Sequence, residues 1–596
     1  MLSSIYSNYP RKFGVVNFKT GLNVVLAKIN LLENKDKDTH NLGKTTFGRM
    51  IDFCMLSKRN AEFFLFKHEE IFENFVFYLE IKLKENSFLT IRRSVKESSK
   101  ASFKKHSEQF QDFSSLGDAE WDHLNIPYDR ASDMLDGLLD WQAIRPWGFR
   151  KGLGYLIRTQ DDFNDVFQLT RFKGSHSQWK PFLSHILGFD ANLIDVHYKV
   201  NMDLEKEEEI ERTVKNELGG SIEDLSKIEG IILLKKQDEF TKSKQIDAFD
   251  FRHEDQEKSK NLVDEIDEEI ARLNKHRYSL NHDKRKIMKS LKDDKILFEP
   301  DKAKELFGEA EVLFEGQIKK DFEQLIAFNK AITVERQVYL KEELKSINSS
   351  LKAVEEELDT LGKSRSNTLS YLGGTDIFSK FKKLSDELVD LRADILSLEK
   401  QRDLLHRLQE LRSNIRALKE KSDALQSQIE DDVENQNSDT SSLFSSIRLY
   451  FSEIIENVIG RKALLSVAPN SVGHLEFKTD ILNLSGSATS ADDGHTYKKL
   501  LCIAFDLAVL RAHKQDKFPD FVFHDGVFES LDDRKKENLL KVFRDYAELG
   551  IQSIITLIDT DMPYRDNETP VFEENEKILI LHDNGEQGRL FKMPGW

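Results

Sequence analysis

The sequence predicts an α/β domain split between the two ends of the chain, with a long antiparallel coiled-coil arm inserted between them. Three observations predict it. Apolar, strand-like runs separated by helical segments occupy both ends of the 596-residue chain. Between them, leucine and isoleucine recur in alternating steps of three and four on segments otherwise dense with charge. A Gly-Lys-Thr sits between strand and helix near the N-terminus, and an apolar strand ending in aspartate lies near the C-terminus.

Composition agrees. Charged residues make up 32% of the chain and only 10 residues are proline, which suits long solvated helices more than a compact β protein. A net charge of −17 argues against nucleic-acid binding over the whole surface, so any such binding must use a local basic patch. Cys54 and Cys502 lie in apolar helical contexts and read as small core residues. No CxxC occurs, which excludes a zinc-linked apex. No segment approaches the length of apolar run that a membrane span needs, and Met1 to Tyr6 lacks a charged leader. A soluble, cytoplasmic protein without membrane contact is expected.

The N-terminal half is expected over residues 1–202. Gly14 to Phe18 and Leu22 to Ala27 read as strands, and Phe47 to Leu56 as a helix. Between them lies Asp38-Thr39-His40-Asn41-Leu42-Gly43-Lys44-Thr45-Thr46. A phosphate-binding loop belongs at such a place. Backbone N–H groups and a helix N-terminus face a phosphate, Lys44 adds a cation, and Thr45 offers a hydroxyl to Mg²⁺. Asp38 stands where the full pattern has glycine, and Asn41 tolerates a left-handed backbone. Taken alone, the motif also fits an ordinary loop capping a helix. Asn41, Leu42, Gly43, Lys44, Thr45 and Thr46 are the candidate ATP contacts. Phe75 to Leu83 and Phe88 to Val95 read as paired strands around Glu85-Asn86-Ser87. Trp121, Trp141, Trp147 and Trp179 point to a substantial core, and Pro181 to Leu187 to a helix stopped by Gly188.

Residues 203–295 are expected to form the ascending strand of the arm, 296–335 its apex, and 336–433 the descending strand. Ile266, Ile270, Leu273, Leu280, Ile287 and Leu291 follow one seam, with Arg277 and Lys284 at two seam positions. Leu340, Leu344, Ile347, Leu351, Val354, Leu358 and Leu361 follow another, resumed at Leu384, Leu388, Leu391, Ile395 and Leu398. After a phase slip near Leu404, Leu411, Ile415, Leu418, Leu425 and Ile429 complete it. Roughly 90 helical residues per strand give an arm of about 130 Å at about 1.5 Å per residue. The less regular stretch containing Pro300 is where the chain is expected to fold back. Gly219-Gly220 and Gly373-Gly374 interrupt the strands, as an elbow or, the reading we prefer, as loops. A polar linker is expected over 434–442, and the second α/β half over 443–596.

In that half, Phe521 to His524 is a strand that ends in Asp525, an acidic residue placed to hold Mg²⁺. Gly526-Val527-Phe528-Glu529-Ser530-Leu531-Asp532 follow. The segment resembles the ABC ATPases, in which it reads Asp-Glu-Pro, three residues, then Leu-Asp. The resemblance gives Asp525 the Mg²⁺ position and Leu531-Asp532 the D-loop. It leaves Gly526 where the catalytic glutamate is expected. Glu529, three residues on, and His524 are the candidate replacements. The signature loop should abut the helix Tyr497 to Arg511. Ser490 to Gly494 fits that place, whereas Leu484-Ser485-Gly486 falls too early. No switch histidine follows the strand Ile551 to Leu557, where Thr556 and Asp559 stand instead, and no Q-loop glutamine is placed.

The order of parts resembles the SMC and SbcC-type branch of the ABC ATPases. A closer resemblance is to bacterial SMC-like proteins of Lamassu-type and three-component ABC anti-phage systems. It is carried by Ile5-Tyr6-Ser7-Asn8, Phe18, Gly21 to Leu26, Asn41 to Thr46, Ile51 to Cys54 and His524-Asp525. The resemblance implies an α/β ABC-type ATPase head with ATP and Mg²⁺ as cofactors, and a head-to-head homodimer. It further implies sensing of double-stranded DNA, such as ends, and control of a separate nuclease effector, with a small accessory subunit. Repair of the SbcC kind, or a coiled-coil scaffold independent of nucleotide, are the other classes it leaves. For DNA, the candidate footprint is Lys82, Lys84, Arg92, Arg93, Lys96, Lys100, Lys104 and Lys105, with a second cluster at Lys275, Arg277, Lys284, Arg285, Lys286 and Lys289.

Overall fold

The computed structural model describes residues 1–31, 42–83, 87–170, 176–218, 224–248, 254–292, 317–370, 376–483, 488–489, 494–565 and 569–595. The chain divides into two units. One joins Met1–Met202 to Glu420–Trp596, and the other is Asp203–Lys419.

The first unit is built on two main sheets. β1 (Leu2–Ser7), β2 (Val16–Asn17), β4 (Val76–Lys82), β5 (Phe88–Ser94), β6 (Lys100–His106) and β7 (His123–Pro127) form an antiparallel sheet in the order β2-β1-β4-β5-β6-β7. The second sheet is parallel and draws on both chain ends. β3 (Leu22–Lys28) and β8 (Ile157–Arg158) come from the N-terminal side, and β12 (Phe521–His524), β13 (Gln552–Ile558) and β16 (Lys577–His582) from the C-terminal side. Their order is β16-β3-β13-β12-β8. β3, β12 and β13 are near-continuous apolar runs, as strands covered on both faces must be. One core joins Val24 of β3, Ile51 and Phe77 to Phe444, Phe523 and Ile554. The main core is therefore shared by the two chain ends.

A third sheet contains β9 (Ala463–Pro469), β10 (Leu475–Leu482) and β11 (Ala488–Thr489), and β14 (Tyr564–Arg565) pairs with β15 (Thr569–Pro570). The expected linker is mostly helical. The helix Asp376–Ser438 runs through it, and Ser442 caps the next helix, Leu443–Ile459, by accepting from the Ser445 N–H at 3.0 Å. The polar residues expected to loosen the chain there instead end one helix and start another.

The turn between β9 and β10 holds a pH-sensitive contact. His474 stacks on Tyr198 with centroids 4.2 Å apart, and its Nε2 lies 3.1 Å from Asn201 Nδ2. Burial, then the neighbouring His197, Lys180 and His176, push its pKa from 6.5 down to about 4. The folded state therefore prefers neutral His474, while the unfolded chain takes up a proton below 6.5. Stability from this site is complete above that pH and is lost as pH falls toward about 4. Thermal unfolding midpoints across this range should fall with acidification, and the fall should be shallower in His474→Gln. Parallel curves would remove His474 as the cause.

The second unit corrects the simple two-stranded arm. Its helices are the end of Ala191–Leu218, Leu225–Asp247, Glu254–Lys292, Gln317–Ser370 and the first part of Asp376–Ser438. Val214, Leu218, Ile228 and Ile232 pack with Leu405, Leu408 and Leu411, so the outgoing chain runs along the returning helix. Ile246 and Val263 meet Phe381 and Leu388. From there Glu254–Lys292 runs back: the Ser397 hydroxyl lies 2.6 Å from the Tyr278 hydroxyl, and Lys286 pairs with Glu217 at 3.1 Å. Gln317–Ser370 packs on Glu254–Lys292, and Arg365 joins Asp267, Ser385 and Asp386 of two different helices. The apolar seams are thus covered by more than one partner helix. The chain direction differs between Leu225–Asp247 and Glu254–Lys292, and again between Gln317–Ser370 and Asp376–Ser438. A seam specifies that a helix has an apolar stripe, not how many partners cover it. Residues 293–316, with Pro300, and both glycine pairs lie outside the described residues.

Candidate functional site

The site gathers at the carboxyl ends of the parallel strands, where an open α/β sheet offers its crevice. After β3 the described chain resumes at Leu42, and the helix Lys44–Cys54, here α1, starts at once. Its N-cap is Gly43, with φ 107° and ψ 17°. A side chain is excluded there twice over: the backbone is left-handed, and a Cβ would lie 2.6 Å from Leu590 Cβ. The C-terminal segment thus braces the loop, with the Leu590 N–H donating to Leu42 O at 3.1 Å. Phe591 anchors that segment among Phe13, Phe64, Phe72 and Phe77.

Thr45 and Asp525, which are 480 residues apart, meet here. The Thr45 hydroxyl donates to Asp525 Oδ2 at 2.5 Å. The Thr556 hydroxyl of β13 donates to Asp525 Oδ1 at 2.5 Å and accepts from the Gly526 N–H at 2.9 Å. Asp525 is fully buried, and Lys44 is 5% exposed. Burial pushes the Lys44 ammonium below its ordinary range, while Asp525, Glu529, Asp561 and Asp559 act the other way. Burial also raises the Asp561 carboxyl. A hydroxyl and a carboxylate beside a helix N-terminus are hard oxygen donors suited to Mg²⁺, and the free N–H groups of α1 suit phosphate. Thr46 is the next residue of α1, half-buried. Asn41 lies outside the described residues.

The turn after β12 is shaped by Gly526, with φ 65°. A Cβ at this position would lie 2.5 Å from Glu529 Oε1 and 2.8 Å from its Cδ. The Glu529 carboxylate thus occupies the space that a side chain at 526 would take. It is held there by Gln160 Nε2 on Oε1 at 2.9 Å and Lys499 Nζ on Oε2 at 2.7 Å. Gln160 follows the two-residue strand β8, which was too short to read from the sequence. Lys499 lies on the helix His495–Ala512, here α2.

His524 points elsewhere and is corrected as a candidate base. It is fully buried, and its Nε2 bonds to Asp506 Oδ2 at 3.0 Å. Alternation along the strand puts it on the opposite side from Asp525. Asp506 also takes Arg158 Nε at 2.6 Å and Nη2 at 2.9 Å, so His524 belongs to a buried ion-pair network. Leu531 is buried, and Asp532 caps the helix Asp533–Glu548, accepting from the Lys535 N–H at 3.0 Å and pairing with the Lys535 ammonium at 2.7 Å. Gly494 is exposed and forms the N-cap of α2. Ser490 lies outside the described residues, as does Leu484-Ser485-Gly486.

The basic footprint is reduced. Arg93 is 1% exposed and donates to the carbonyls of Phe53, Ser57 and Ser98, so it is a core brace and not a DNA contact. The pleat explains it: Arg92 and Arg93 fall on opposite faces of β5. Arg92 lies over the Trp121 ring, 5.7 Å from its centroid. Lys96, Lys100 and Lys104 pair with Glu73, Glu97 and Asp122. Lys82 is half-buried, Lys105 is exposed, and Lys84 lies outside the described residues. Of the arm cluster, Lys275, Arg277, Lys284 and Arg285 line a groove of about 850 Å³ together with Asp390, Asp394 and Glu399. That mixture of signs is a poor phosphate track. Lys286 is the partner of Glu217 named above.

Comparison with known proteins gives one family match: the family described as "uncharacterised protein conserved in bacteria (DUF2326)" matches residues 451–594. No curated protein matches the chain. Among solved structures, the chain is similar to the Smc head domain with a coiled coil and joint from Pyrococcus yayanosii, at 13% identity and a TM-score of 0.35, covering 99% of this chain and 96% of that one. It is also similar to the Smc head domain with an extended coiled coil from Pyrococcus furiosus, bound there to the C-terminal domain of ScpA. That likeness is at 10% identity and a TM-score of 0.31, covering 94% of this chain and 90% of that one.

Proposed function

We propose that this chain is an SMC-like ATPase subunit that binds ATP and Mg²⁺ in the split head and uses them to govern pairing of two heads. The observation that carries this reading is the contact of Thr45 with Asp525 at the N-terminus of α1. A phosphate loop and a metal-binding aspartate from opposite chain ends are there joined in one crevice. Lys44 and the amides of Gly43 to Thr46 hold the phosphates, and Thr45 and Asp525 hold Mg²⁺. The metal, when bound, offsets charge on the β- and γ-phosphates. Gln160 and Glu529 face the position of the attacking water, with Glu529 as the base. Gly494 and Asp532 lie on the face that meets a second head.

The finer reading follows the sequence resemblance. DNA, a nuclease effector and an accessory subunit are the partners, and defence against phage or plasmid is the setting. The DNA surface comprises Lys82, Arg92, Lys96, Lys100, Lys104 and Lys105. No helix among the described residues is long and apolar enough to cross a membrane.

Titration with a fluorescent ATP analogue, read alongside dimerisation by light scattering, tests the core of the proposal. Wild type should bind with Mg²⁺ and dimerise with ATP. Lys44→Ala should lose at least about 100-fold in affinity, the size expected when a charge-assisted phosphate contact is removed from a crevice with four carboxylates nearby. Equal binding by both proteins would remove Lys44 as the phosphate contact, and a wild type that neither binds ATP nor dimerises with it would point to a scaffold that does not use nucleotide.

A further inference from the structure

We propose that Lys499 is a latch on Glu529, tying the carboxylate of the hydrolytic site to the helix that starts at the signature-like loop. The inference rests on the ATPase reading above. Lys499 is 4% exposed, and its ammonium donates to Glu529 Oε2 at 2.7 Å and to Gly526 O at 2.8 Å. It also stands over the Phe163 ring, 5.4 Å from the centroid. Burying an ammonium is costly unless it is paired and hydrogen-bonded, and here it is both. Three separate parts of the chain thus converge on one carboxylate. Gln160 comes from the end of β8, Gly526 and Glu529 from the turn after β12, and Lys499 from α2.

A general base works by accepting a proton. In this arrangement both Glu529 oxygens already accept hydrogen bonds, one of them from a cation. Held from both oxygens, the carboxylate is not free to turn toward a water. The carboxylate is therefore placed beside the site but held idle. What holds it is attached to α2, and α2 begins at Gly494, an exposed residue. A hydrogen bond of this kind is lost once the atoms separate by about 1 Å more. A second copy seated against the N-terminus of α2 needs only to shift this helix slightly to release Glu529. The latch makes hydrolysis answer to what touches that helix end.

Steady-state ATP hydrolysis by full-length wild type, Lys499→Met, Glu529→Gln and the double variant tests the latch. Lys499→Met keeps the length of the side chain and removes its charge. Its kcat should rise about tenfold with KM unchanged, and the double variant should fall back to the rate of Glu529→Gln. That return separates release of Glu529 from a general loosening of the fold. If Lys499→Met does not fold, Lys499→Gln, which still donates to the Gly526 carbonyl, carries the same expectation. A Lys499 variant slower than wild type, or a gain that survives in the double variant, overturns the latch while leaving the ATPase reading intact. A wild type that neither binds nor hydrolyses ATP removes that reading, and the latch with it.

Discussion

Glu529→Gln is expected to slow ATP hydrolysis by ~10²–10⁴-fold, the usual effect of removing a general base, with ATP affinity essentially kept. The expectation comes from position. The carboxylate lies where a side chain at 526 would be, so under the proposed function Glu529 takes the role that the ABC pattern gives to the residue at 526. Glutamine has the same shape and can still accept from Gln160, so the turn should survive. Single-turnover hydrolysis measured beside equilibrium binding separates chemistry from affinity. If hydrolysis stays within a few-fold of wild type, the base lies elsewhere. Asp561, half-buried and near Glu529 and Lys44, is then the next residue to replace.

Asp506→Ala should destabilise the head by about 3–5 kcal/mol, the range seen when one partner of a buried ion pair is removed. Arg158 and Asp506 are both essentially excluded from solvent, at 0% and 2% side-chain exposure. The pair is bidentate, and the carboxylate also satisfies His524. Without Asp506 the guanidinium keeps only the carbonyls of Asp162, Asp165 and Val166, and its charge has no counterion. Urea unfolding followed by a probe of the head should show the loss. Replacing all three residues with apolar groups should cost less than removing Asp506 alone, because no stranded charge remains. A single variant within about 1 kcal/mol of wild type would mean that water reaches Arg158 and takes over. Nucleotide binding should weaken too, because the Asp525 N–H donates to the Arg158 carbonyl at 3.1 Å.

The sequence made some of this legible. The helix after the phosphate loop and the β4–β5 pair are found within a few residues of where periodicity puts them. So is α2, expected over Tyr497 to Arg511 and found over His495–Ala512. Each has a strong period of its own. What escaped depends on partners. β8 is two residues long and is a strand only because β12 lies beside it. Gln160 was therefore invisible, since its meaning comes from Glu529. Arg93 belongs to a run of positive residues and, read as charge, looked like a phosphate contact. The pleat and three carbonyls decided otherwise. The heptads were read correctly as apolar stripes, yet spacing alone does not tell one partner helix from more than one.

The parallel sheet also has a bearing on synthesis. Leu22 of β3 pairs with Ser553, and Val24 with Lys577, so this early strand has no sheet partner until Gln552–Ile558 has been made. At about 5–20 residues per second, a nascent chain carries that apolar strand for roughly half a minute to two minutes before its neighbours emerge. The brace on Gly43 arrives later still, with Leu590. Chains that stop before Asp525 would carry Lys44 and Thr45 but no completed crevice.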